Sequence, residues 1–284
     1  MSSLKEYLAE RLEAWELKLL PSSYDIVGDI AIIRLPDELK HRAEEIAKAI
    51  MQINSHVKTV LNQASPVSGD FRLRQLEWIT GEKKTETIHR EHGCLFKVDL
   101  EKCYFSPRLS FERSRVASQV KPSEIVVNMF AGVGCFSILI AKRSKARRVY
   151  SIDINPWAIK YAEENIRLNR VGYIVTAILG DAKNVIRERL KGAADRVLMP
   201  LPEKAYEYID FAIESLKPHG GVIHYYDFVH AGKDENPIRK VEEKISRKLC
   251  LLKMDFEVNF GRIVRTIGPR WFQISLDIGV NKKD

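Results

Sequence analysis

The sequence predicts an α/β fold in which a parallel sheet, covered by helices on both sides, follows a smaller α+β domain. Three observations lead to this prediction. From residue 107 onward, short apolar strands alternate with amphipathic helices, as in a parallel, doubly covered sheet. The first of these strands runs into a glycine-rich turn, and the second ends on a carboxylate, Asp153. Up to residue 104 the order of helices and strands is mixed, so we predict two domains, 1–104 and 105–284.

The amino-acid composition is typical of a soluble, nucleic-acid-binding protein. The chain has 284 residues, enough for two modest domains with a sizeable core. Lysine and arginine number 46 against 38 aspartate and glutamate, a formal net charge of +8 that favours a polyanionic partner such as nucleic acid. The four cysteines lack metal-binding or disulfide spacing, which predicts no metal site and a reducing, cytoplasmic location. We expect a soluble protein with no membrane span, because the chain lacks a long apolar run and a signal peptide. No obligate protein partner is expected.

In the first domain, apolar residues at helical spacing predict helices over 3–19 and 37–53. A strand over 24–35 is expected to bend at Gly28. Short strands are predicted over 57–61, 71–79, 84–90 and 94–100.

The second domain is more regular. Its strands are predicted over 125–129, 148–152, 173–178, 195–199, 220–226, 252–262 and 269–278. Its helices are predicted over 107–119, 134–143, 157–168, 182–190, 203–216 and 236–248. The last two strands are expected to close one edge of the sheet as a hairpin.

The turn Ala131-Gly132-Val133-Gly134 and Asp153 form a nucleoside-binding pattern. Glycines let a ligand approach the backbone, and an acid at the next strand tip accepts hydrogen bonds from ribose hydroxyls. Phe136 and Ser137 stand where a dinucleotide fold has its third glycine, the residue that lets a pyrophosphate reach the helix N-terminus. The pattern therefore favours S-adenosylmethionine over a dinucleotide such as NAD. The residues expected to line this cofactor are Phe130, Ala131, Gly132, Gly134, Asp153 and Ile154.

Two further strand tips carry candidate residues, since open α/β sheets bind ligands at the carboxyl ends of their strands. Asp181 and Ala182 follow the strand AILG, where Asp181 caps a helix or bonds the adenine amino group. The segment Pro200-Leu201-Pro202 follows DRVLM, where a proline-stiffened loop is expected to hold backbone carbonyls in place or simply to end the strand.

Together these segments resemble the archaeal and eukaryotic tRNA (guanine-N1)-methyltransferases, which act on guanosine 37 beside the anticodon. The blocks that carry the resemblance are KVDLEKCYFSPRLSFERSRVA, NMFAGVGCFSI, SIDINPWA, ILGDA, DRVLMPLPEKA and GGVIHYYDF. The wybutosine-pathway enzyme that transfers an aminocarboxypropyl group is similar in the same blocks. The resemblance implies a class I, Rossmann-like S-adenosylmethionine-dependent methyltransferase domain, a small RNA-recognition domain before it, and tRNA as the partner. The resemblance also implies that many relatives carry a further N-terminal domain, and we expect this chain to start at the second one, apart from its leading helix.

The resemblance also implies roles for single residues. It gives Glu112 the role of the base that removes the N1 proton of guanine. It points to Arg72 or Arg74 as the cation for the charge that develops on O6; both would lie on one face of a strand, and we favour Arg72. Arg113 lies about 100° around the helix from Glu112 and is expected to face the cofactor.

The same block YFSPRL supplies two further candidates. Tyr104 and Arg108 are expected to stack a base and to hold a phosphate or the carboxylate of the cofactor, with Pro202 beside the substrate.

One position departs from the family pattern. Many N1-methylating relatives have asparagine where this chain has Pro200, which offers no polar side-chain group to guanine. Pro200 is shared with the archaeal subgroup that also methylates a tricyclic wyosine precursor at C7, so dual activity is a hypothesis. Alternatives are aminocarboxypropyl transfer, a non-catalytic RNA-binding module, and an NAD-dependent oxidoreductase.

Overall fold

A computed structural model describes residues 4–281, and the chain divides between Pro107 and Arg108 into two compact units. Both units contain helices and strands, and each has its own cluster of buried apolar side chains. No helix in the described range 4–281 is long and apolar enough to cross a membrane.

The first unit is a small α+β structure. Its helices are α1 (Leu4–Leu8), α2 (Ala14–Leu19) and α3 (Ala43–Ile53), the last preceded by a 3₁₀ turn at Asp37–Arg42. Its strands are β1 (Asp25–Val27), β2 (Ile30–Ile33), β3 (Thr59–Gln63), β4 (Leu76–Gly81), β5 (Glu86–Glu91) and β6 (Cys94–Asp99). Strands β1 to β4 form one sheet in that order, and β5 pairs with β6 in a separate hairpin. One face of α3 is apolar and fully buried, at Ile46, Ala47, Ala49 and Ile50.

Three predictions for this unit were wrong in detail. The helix expected over 3–19 is two helices, of which α2 starts anew at a reciprocal capping box between Glu13 and Glu16; residue 3 lies outside the described residues. The strand expected over 24–35 is the antiparallel hairpin β1–β2. Gly28 has φ +58 in its turn, and a Cβ there would lie 2.1 Å from the Thr87 hydroxyl oxygen, so the position requires glycine.

The third correction concerns the strand expected over 71–79. Strand β4 begins only at Leu76, and Arg72 has φ +54 in the loop before it. A left-handed residue does not belong to an extended strand, so the expectation that Arg72 and Arg74 share a strand face was wrong.

The second unit follows the predicted alternation of helices and strands. Its helices are α4 (Ser110–Gln119), α5 (Cys135–Arg143), α6 (Pro156–Leu168), α7 (Ala182–Val185), α8 (Pro202–Ser215) and α9 (Pro237–Leu251). Its strands are β7 (Ile125–Asn128), β8 (Arg148–Asp153), β9 (Val175–Leu179), β10 (Arg196–Met199), β11 (Gly221–His230), β12 (Asp255–Gly268) and β13 (Trp271–Asn281). A 3₁₀ turn at Pro107–Leu109 leads into α4, and the helix expected over 182–190 changes after α7 to a π-turn at Ile186–Leu190.

These strands form one seven-stranded sheet in the order β12-β13-β11-β10-β7-β8-β9. The five strands β7 to β11 pair in parallel, while β13 is antiparallel to both β11 and β12. The predicted edge hairpin is therefore confirmed. Because β7, β8, β9 and β10 are parallel neighbours, their carboxyl ends meet at one edge of the sheet.

Candidate active site

The glycine turn joins β7 to α5 at that edge. Gly134 has φ +89 and caps α5, and a Cβ there would come within 3.2 Å of the Ile138 side chain. At the position of a third dinucleotide glycine, Ser137 is fully buried and accepts a hydrogen bond of 3.2 Å from the Asn128 side chain. The start of α5 is thus packed with side chains, in contrast to the open approach that a pyrophosphate needs.

Asp153 ends β8 beside the turn and is oriented by the backbone. Its Oδ2 accepts from the Gly132 N–H at 2.7 Å and its Oδ1 accepts from the Asn155 N–H at 2.9 Å. Burial raises the pKa of Asp153, and these backbone hydrogen bonds oppose the rise without cancelling it. A carboxylate accepts about four hydrogen bonds, so Asp153 has room for a further donor such as a ribose hydroxyl.

Asp181 follows β9 and caps α7 by accepting from the Lys183 N–H at 3.0 Å. The Tyr208 hydroxyl on α8 also contacts this carboxylate, at 3.1 Å from either oxygen. The Tyr208 ring lies edge-on to Phe130, with centroids 5.3 Å apart. An aromatic wall therefore connects the glycine turn to Asp181. Ala182 is buried behind it, whereas Ile154 is 42% exposed after Asp153.

The proline loop follows β10, with Pro200 half-buried and Pro202 as the first residue of α8. The Met199 carbonyl accepts from the Leu201 N–H at 2.8 Å, and the Leu201 carbonyl accepts from the first turn of α8. The loop thus holds its backbone carbonyls in place, as predicted, but those of Met199 and Leu201 accept hydrogen bonds from the chain itself.

Glu112 lies in the first turn of α4 and is only 1% exposed. Arg115, one turn later, binds it with both ends of the guanidinium, Nη2 to Oε1 at 2.7 Å and Nε to Oε2 at 3.0 Å. Tyr226 on β11 donates to Oε1 at 2.8 Å, and Arg262 on β12 donates to Oε2 at 3.2 Å. Burial by itself would raise the pKa of Glu112, but the hydrogen bonds and charge of Arg115, together with the Tyr226 hydroxyl, hold it below the ordinary value.

Arg115 in turn belongs to a buried polar network. It donates from Nη2 to Asp277 Oδ1 on β13 at 2.9 Å, and the same Asp277 oxygen lies 2.7 Å from Nδ1 of His224. Arg196 lies 2.8 Å from Nε2 of His224, and its own carboxylate partner is Glu124, at 2.7 Å. Arginine only donates, so Nε2 of His224 accepts and its proton resides on Nδ1, facing Asp277.

The pKa directions agree with this arrangement. Burial lowers the pKa of His224, which keeps the ring neutral. Burial would raise the pKa of Asp277, but its hydrogen bonds to His224 and Arg115 hold it far below the ordinary value. The network therefore fixes Arg115, and Arg115 fixes Glu112.

The second unit brings most of the predicted site residues together. Phe136, in the first turn of α5, packs edge-on against Tyr226 with ring centroids 6.4 Å apart, and Tyr226 bonds Glu112. Arg113 is buried next to Glu112, and Arg108 is exposed in the 3₁₀ turn before α4. The nucleoside pattern and the buried glutamate thus share one region of this unit.

The remaining candidates belong to the first unit. The guanidinium of Arg72 lies over the ring of Tyr104, 4.8 Å from its centroid. Arg74 donates to the Gln63 side chain at 3.2 Å. The structure of this unit therefore pairs Tyr104 with Arg72.

Sequence reasoning missed five residues of this region: Arg115, Tyr208, Tyr226, Arg262 and Asp277. A signal was present for two of them. Asp277 interrupts the apolar run ISLDIGV, and Tyr226 lies in the buried strand GGVIHYYDF, both unusual places for polar groups without partners.

Two family profiles match the chain. Residues 87–253 match the TRM5/TYW2 methyltransferase domain, and residues 4–85 match the TYW2 N-terminal domain.

Two archaeal proteins are similar to this chain over most of its length. A tRNA (guanine(37)-N(1))-methyltransferase Trm5b of Pyrococcus abyssi is 46% identical over 93% of this chain and 76% of its own length. A tRNA 4-demethylwyosine(37)-methyltransferase Taw21 of Saccharolobus solfataricus is 38% identical over 99% of this chain and 100% of its own.

Two solved structures show the same fold. The complex of aTrm5 with tRNALeu has a TM-score of 0.84 at 38% identity, covering 99% of this chain and 78% of that one. TYW2 of M. jannaschii in complex with AdoMet has a TM-score of 0.67 at 31% identity, covering 92% of this chain and 100% of that one.

Proposed function

Since the chain belongs to the TRM5/TYW2 methyltransferase family, we propose that it transfers a methyl group from S-adenosylmethionine to N1 of guanosine 37 in tRNA. The observation that carries this proposal is the buried, ionised Glu112 in the same unit as the glycine turn and Asp153. The similarity to a tRNA-bound structure supports tRNA as the substrate. Four free cysteines support a reducing compartment, and we place the enzyme in the cytoplasm.

The residues at the sheet edge fit an adenosine-containing cofactor. Asp153 has an acceptor position for a ribose hydroxyl, and the turn around Gly132 and Gly134 presents little side-chain bulk. Phe130 and Tyr208 offer aromatic surface to adenine, with Asp181 as the acceptor for its amino group. When bound, S-adenosylmethionine supplies a methyl group bonded to a positively charged sulfur. The sulfur–methyl bond breaks as the bond to the acceptor forms, and the sulfur leaves as a neutral thioether.

Glu112 is the general base in this proposal. Guanine N1 carries a proton and is a poor nucleophile until that proton is removed. The Glu112 carboxylate takes the N1 proton, the electron pair left on N1 forms the bond to the methyl carbon, and Glu112 later releases the proton to water. Arg115 and Tyr226 hold the carboxylate in one orientation throughout.

Removal of the N1 proton places negative charge on O6, which calls for a fixed cation. Arg72 and Arg74 were predicted for this role from the family resemblance. Arg72 lies against Tyr104, the residue predicted to stack a base, and this arrangement supports Arg72 as a substrate contact within the first unit.

A second candidate activity is methylation of the tricyclic precursor 4-demethylwyosine at position 37. It is favoured by the similarity to Taw21 over that protein's whole length. Pro200 also supports it, because the loop that carries it presents no side-chain donor or acceptor at that position and so makes no polar demand specific to guanine. Aminocarboxypropyl transfer stays the alternative; that reaction does not require removal of a proton from guanine N1.

The test uses cofactor labelled separately on its methyl and its carboxyl carbon, incubated with tRNA transcripts carrying guanosine or adenosine at position 37. The proposal predicts methyl label in the guanosine transcript alone, recovered as 1-methylguanosine. Carboxyl label in tRNA that contains the tricyclic precursor would identify aminocarboxypropyl transfer instead. Methyl label in that tRNA would establish methylation of the tricyclic precursor. No transfer of either label to any of the tRNAs would indicate a non-catalytic RNA-binding module.

A further inference from the structure

Three strands of the second unit extend beyond the others at the edge of the sheet where the glycine turn lies. β11 makes its last pair with β10 at Met199 and Tyr225 and then continues to His230, paired with β13. On its other side β13 pairs with β12 as far as Trp271 and Gly268. Because β11 runs parallel to β10, this extension lies beyond the carboxyl ends of the parallel strands. We call it the ribbon: residues 226–230 of β11, 271–275 of β13 and 262–268 of β12.

One face of the ribbon continues the buried network around Arg115. This arginine, on α4, donates to Ser275 and Asp277 of β13, so both of these side chains point towards α4. Side chains alternate along a strand. Gln273 and Trp271 therefore lie on the same face of β13, farther along the ribbon.

Cross-strand pairing adds residues of β11 and β12 to this face. Residues directly opposite one another in an antiparallel sheet have side chains on the same face. In order along β13, the pairs are Arg262 opposite Ser275, Arg265 opposite Gln273, and His230 opposite Trp271. We call Arg262, Arg265, His230 and Trp271 the ribbon face.

The ribbon face presents aromatic rings and guanidinium groups to solvent. Trp271 is 46% exposed and lies edge-on to His230, with ring centroids 5.5 Å apart. Arg262 lies over the ring of Phe111, 4.5 Å from its centroid, and Phe111 is 65% exposed. Aromatic rings that stack bases, next to cations that bind phosphates, are the combination found in proteins that bind single-stranded nucleic acid.

Charge and edge geometry favour RNA over a second protein chain as the occupant of this face. The pairing of β12 with β13 is interrupted by register shifts at three places, so β12 does not offer the regular backbone edge that an added strand needs. Glu235, in the loop after β11, is bound by Lys240 at 2.8 Å, so its charge is already balanced. The formal net charge of +8 adds to the attraction for a polyanion.

The length of the ribbon matches a short run of nucleotides. Trp271 is four residues from Ser275, or about 13 Å at the rise of a β-strand. Bases stacked in one strand are about 3.4 Å apart, so about three to four of them span this distance. On the 3′ side of guanosine 37, nucleotide 38 alone precedes the paired stem of the tRNA. On the 5′ side, the three anticodon nucleotides are unpaired.

We propose that the ribbon face stacks the anticodon nucleotides 34–36 while guanosine 37 lies at Glu112. Trp271 and His230 supply the stacking surface, and Arg265 binds the phosphates between these nucleotides. Stacking tolerates every base, so such a surface accepts tRNAs with different anticodons. The inference rests on the proposed function, because it places the reacting guanosine at Glu112.

The test is a cycle between one side chain and the bases that it is proposed to stack. The equilibrium affinity for tRNA is measured for wild type and Trp271→Ala, each with intact tRNA and with tRNA made abasic at positions 34–36. A tRNA made abasic at position 38 and the variant Tyr173→Ala are the controls. Tyr173 is 75% exposed and precedes β9, at the opposite edge of the sheet.

We expect Trp271→Ala to weaken the binding of intact tRNA about tenfold, within the usual effect of removing one stacking aromatic. With the anticodon bases absent, the same substitution should weaken binding by less than about twofold, because there is no base to stack. The tRNA abasic at position 38 should respond to Trp271→Ala as intact tRNA does. Tyr173→Ala should bind every tRNA as wild type does.

Arg265→Met separates the phosphate contact from stacking. It should weaken the binding of intact and anticodon-abasic tRNA by the same factor, since the phosphates are present in both. The slope of log affinity against log salt concentration should become shallower by about 0.7, the contribution of one phosphate contact with a single strand. Arg239→Met, a change at a 78% exposed arginine on α9, should leave the slope unchanged.

Equal weakening of intact and anticodon-abasic tRNA by Trp271→Ala would make Trp271 a structural residue and overturn the inference. Unchanged binding of intact tRNA by Trp271→Ala, or a salt slope unchanged by Arg265→Met, would overturn it as well. Cofactor binding measured by calorimetry verifies that each variant is folded, and Trp271→Leu gives the same comparison if Trp271→Ala is not folded. Failure of the proposed function is a separate result, because it would appear as the absence of 1-methylguanosine from the wild-type reaction and not in these binding measurements.

Discussion

Replacing Tyr226 with phenylalanine removes one hydroxyl group beside Glu112 and leaves the ring packed against Phe136. The lost bond is a 2.8 Å hydrogen bond to an ionised, buried carboxylate. Hydrogen bonds to charged groups contribute about 1.5–3 kcal/mol, and we take about 1.5 kcal/mol because Arg115 and Arg262 still hold Glu112. For a unit of this size the melting temperature should fall by about 3–6 °C.

The pH dependence follows from the direction of the pKa shift. The folded protein holds the pKa of Glu112 below its ordinary value of 4.5, so the stability that this group contributes is complete above that value and is lost as the pH falls through the folded-state pKa. Tyr226→Phe removes part of that contribution. The difference in unfolding free energy between variant and wild type should therefore be largest at neutral pH and narrow below 4.5.

Two assays check this prediction. Denaturant unfolding from acid to neutral pH measures the stability difference, with Tyr173→Phe, a 75% exposed tyrosine, as the control. Single-turnover methylation measures the acid limb of the pH–rate profile, which should move to higher pH because the ionised form of Glu112 has lost a donor. A variant as stable as wild type at neutral pH, with an unmoved acid limb, would refute the role given to Tyr226.

Two further predictions concern the other carboxylates of the second unit. Asp153→Asn should weaken cofactor binding about 10–100-fold in calorimetry, because hydrogen bonds from the ribose hydroxyls lose a charged acceptor; unchanged affinity would place the ribose elsewhere. Asp277→Asn should lower the unfolding free energy by about 3 kcal/mol and slow methylation, since it leaves Arg115 and His224 without their buried anion. The exposed Asp255→Asn should change stability by less than about 0.5 kcal/mol, and equal losses in the two variants would contradict the network.

The architecture of the second unit was predictable because its signals are local. Each parallel strand is a short apolar run, and the helix after it has a cap or a proline at its first turn, as Asn155 and Pro156 do for α6. The glycine turn and Asp153 were readable for the same reason: the sequence distance between a strand tip and its ligand-binding residue is short.

The surroundings of Glu112 were not predictable in this way. Arg115 and Asp277 are 162 positions apart, and Glu112 and Arg262 are 150 apart, so their contacts depend on how β12 and β13 fold back onto the sheet. The strand predictions for the first unit were wrong for a different reason. At Gly28 and at Arg72, a single residue with left-handed backbone conformation turns the chain where a continuous strand was predicted. The spacing of apolar residues does not indicate such a conformation.

The central claim, that Glu112 is the base for methylation of guanosine 37, is tested most directly by Glu112→Gln. The measurement is the single-turnover rate of 1-methylguanosine formation at saturating cofactor, with the exposed Glu163→Gln as the matched control. We expect a fall of about 10²–10⁴-fold for Glu112→Gln with cofactor affinity unchanged, and a wild-type rate for the control. A Glu112→Gln enzyme that forms 1-methylguanosine at the wild-type rate would contradict it.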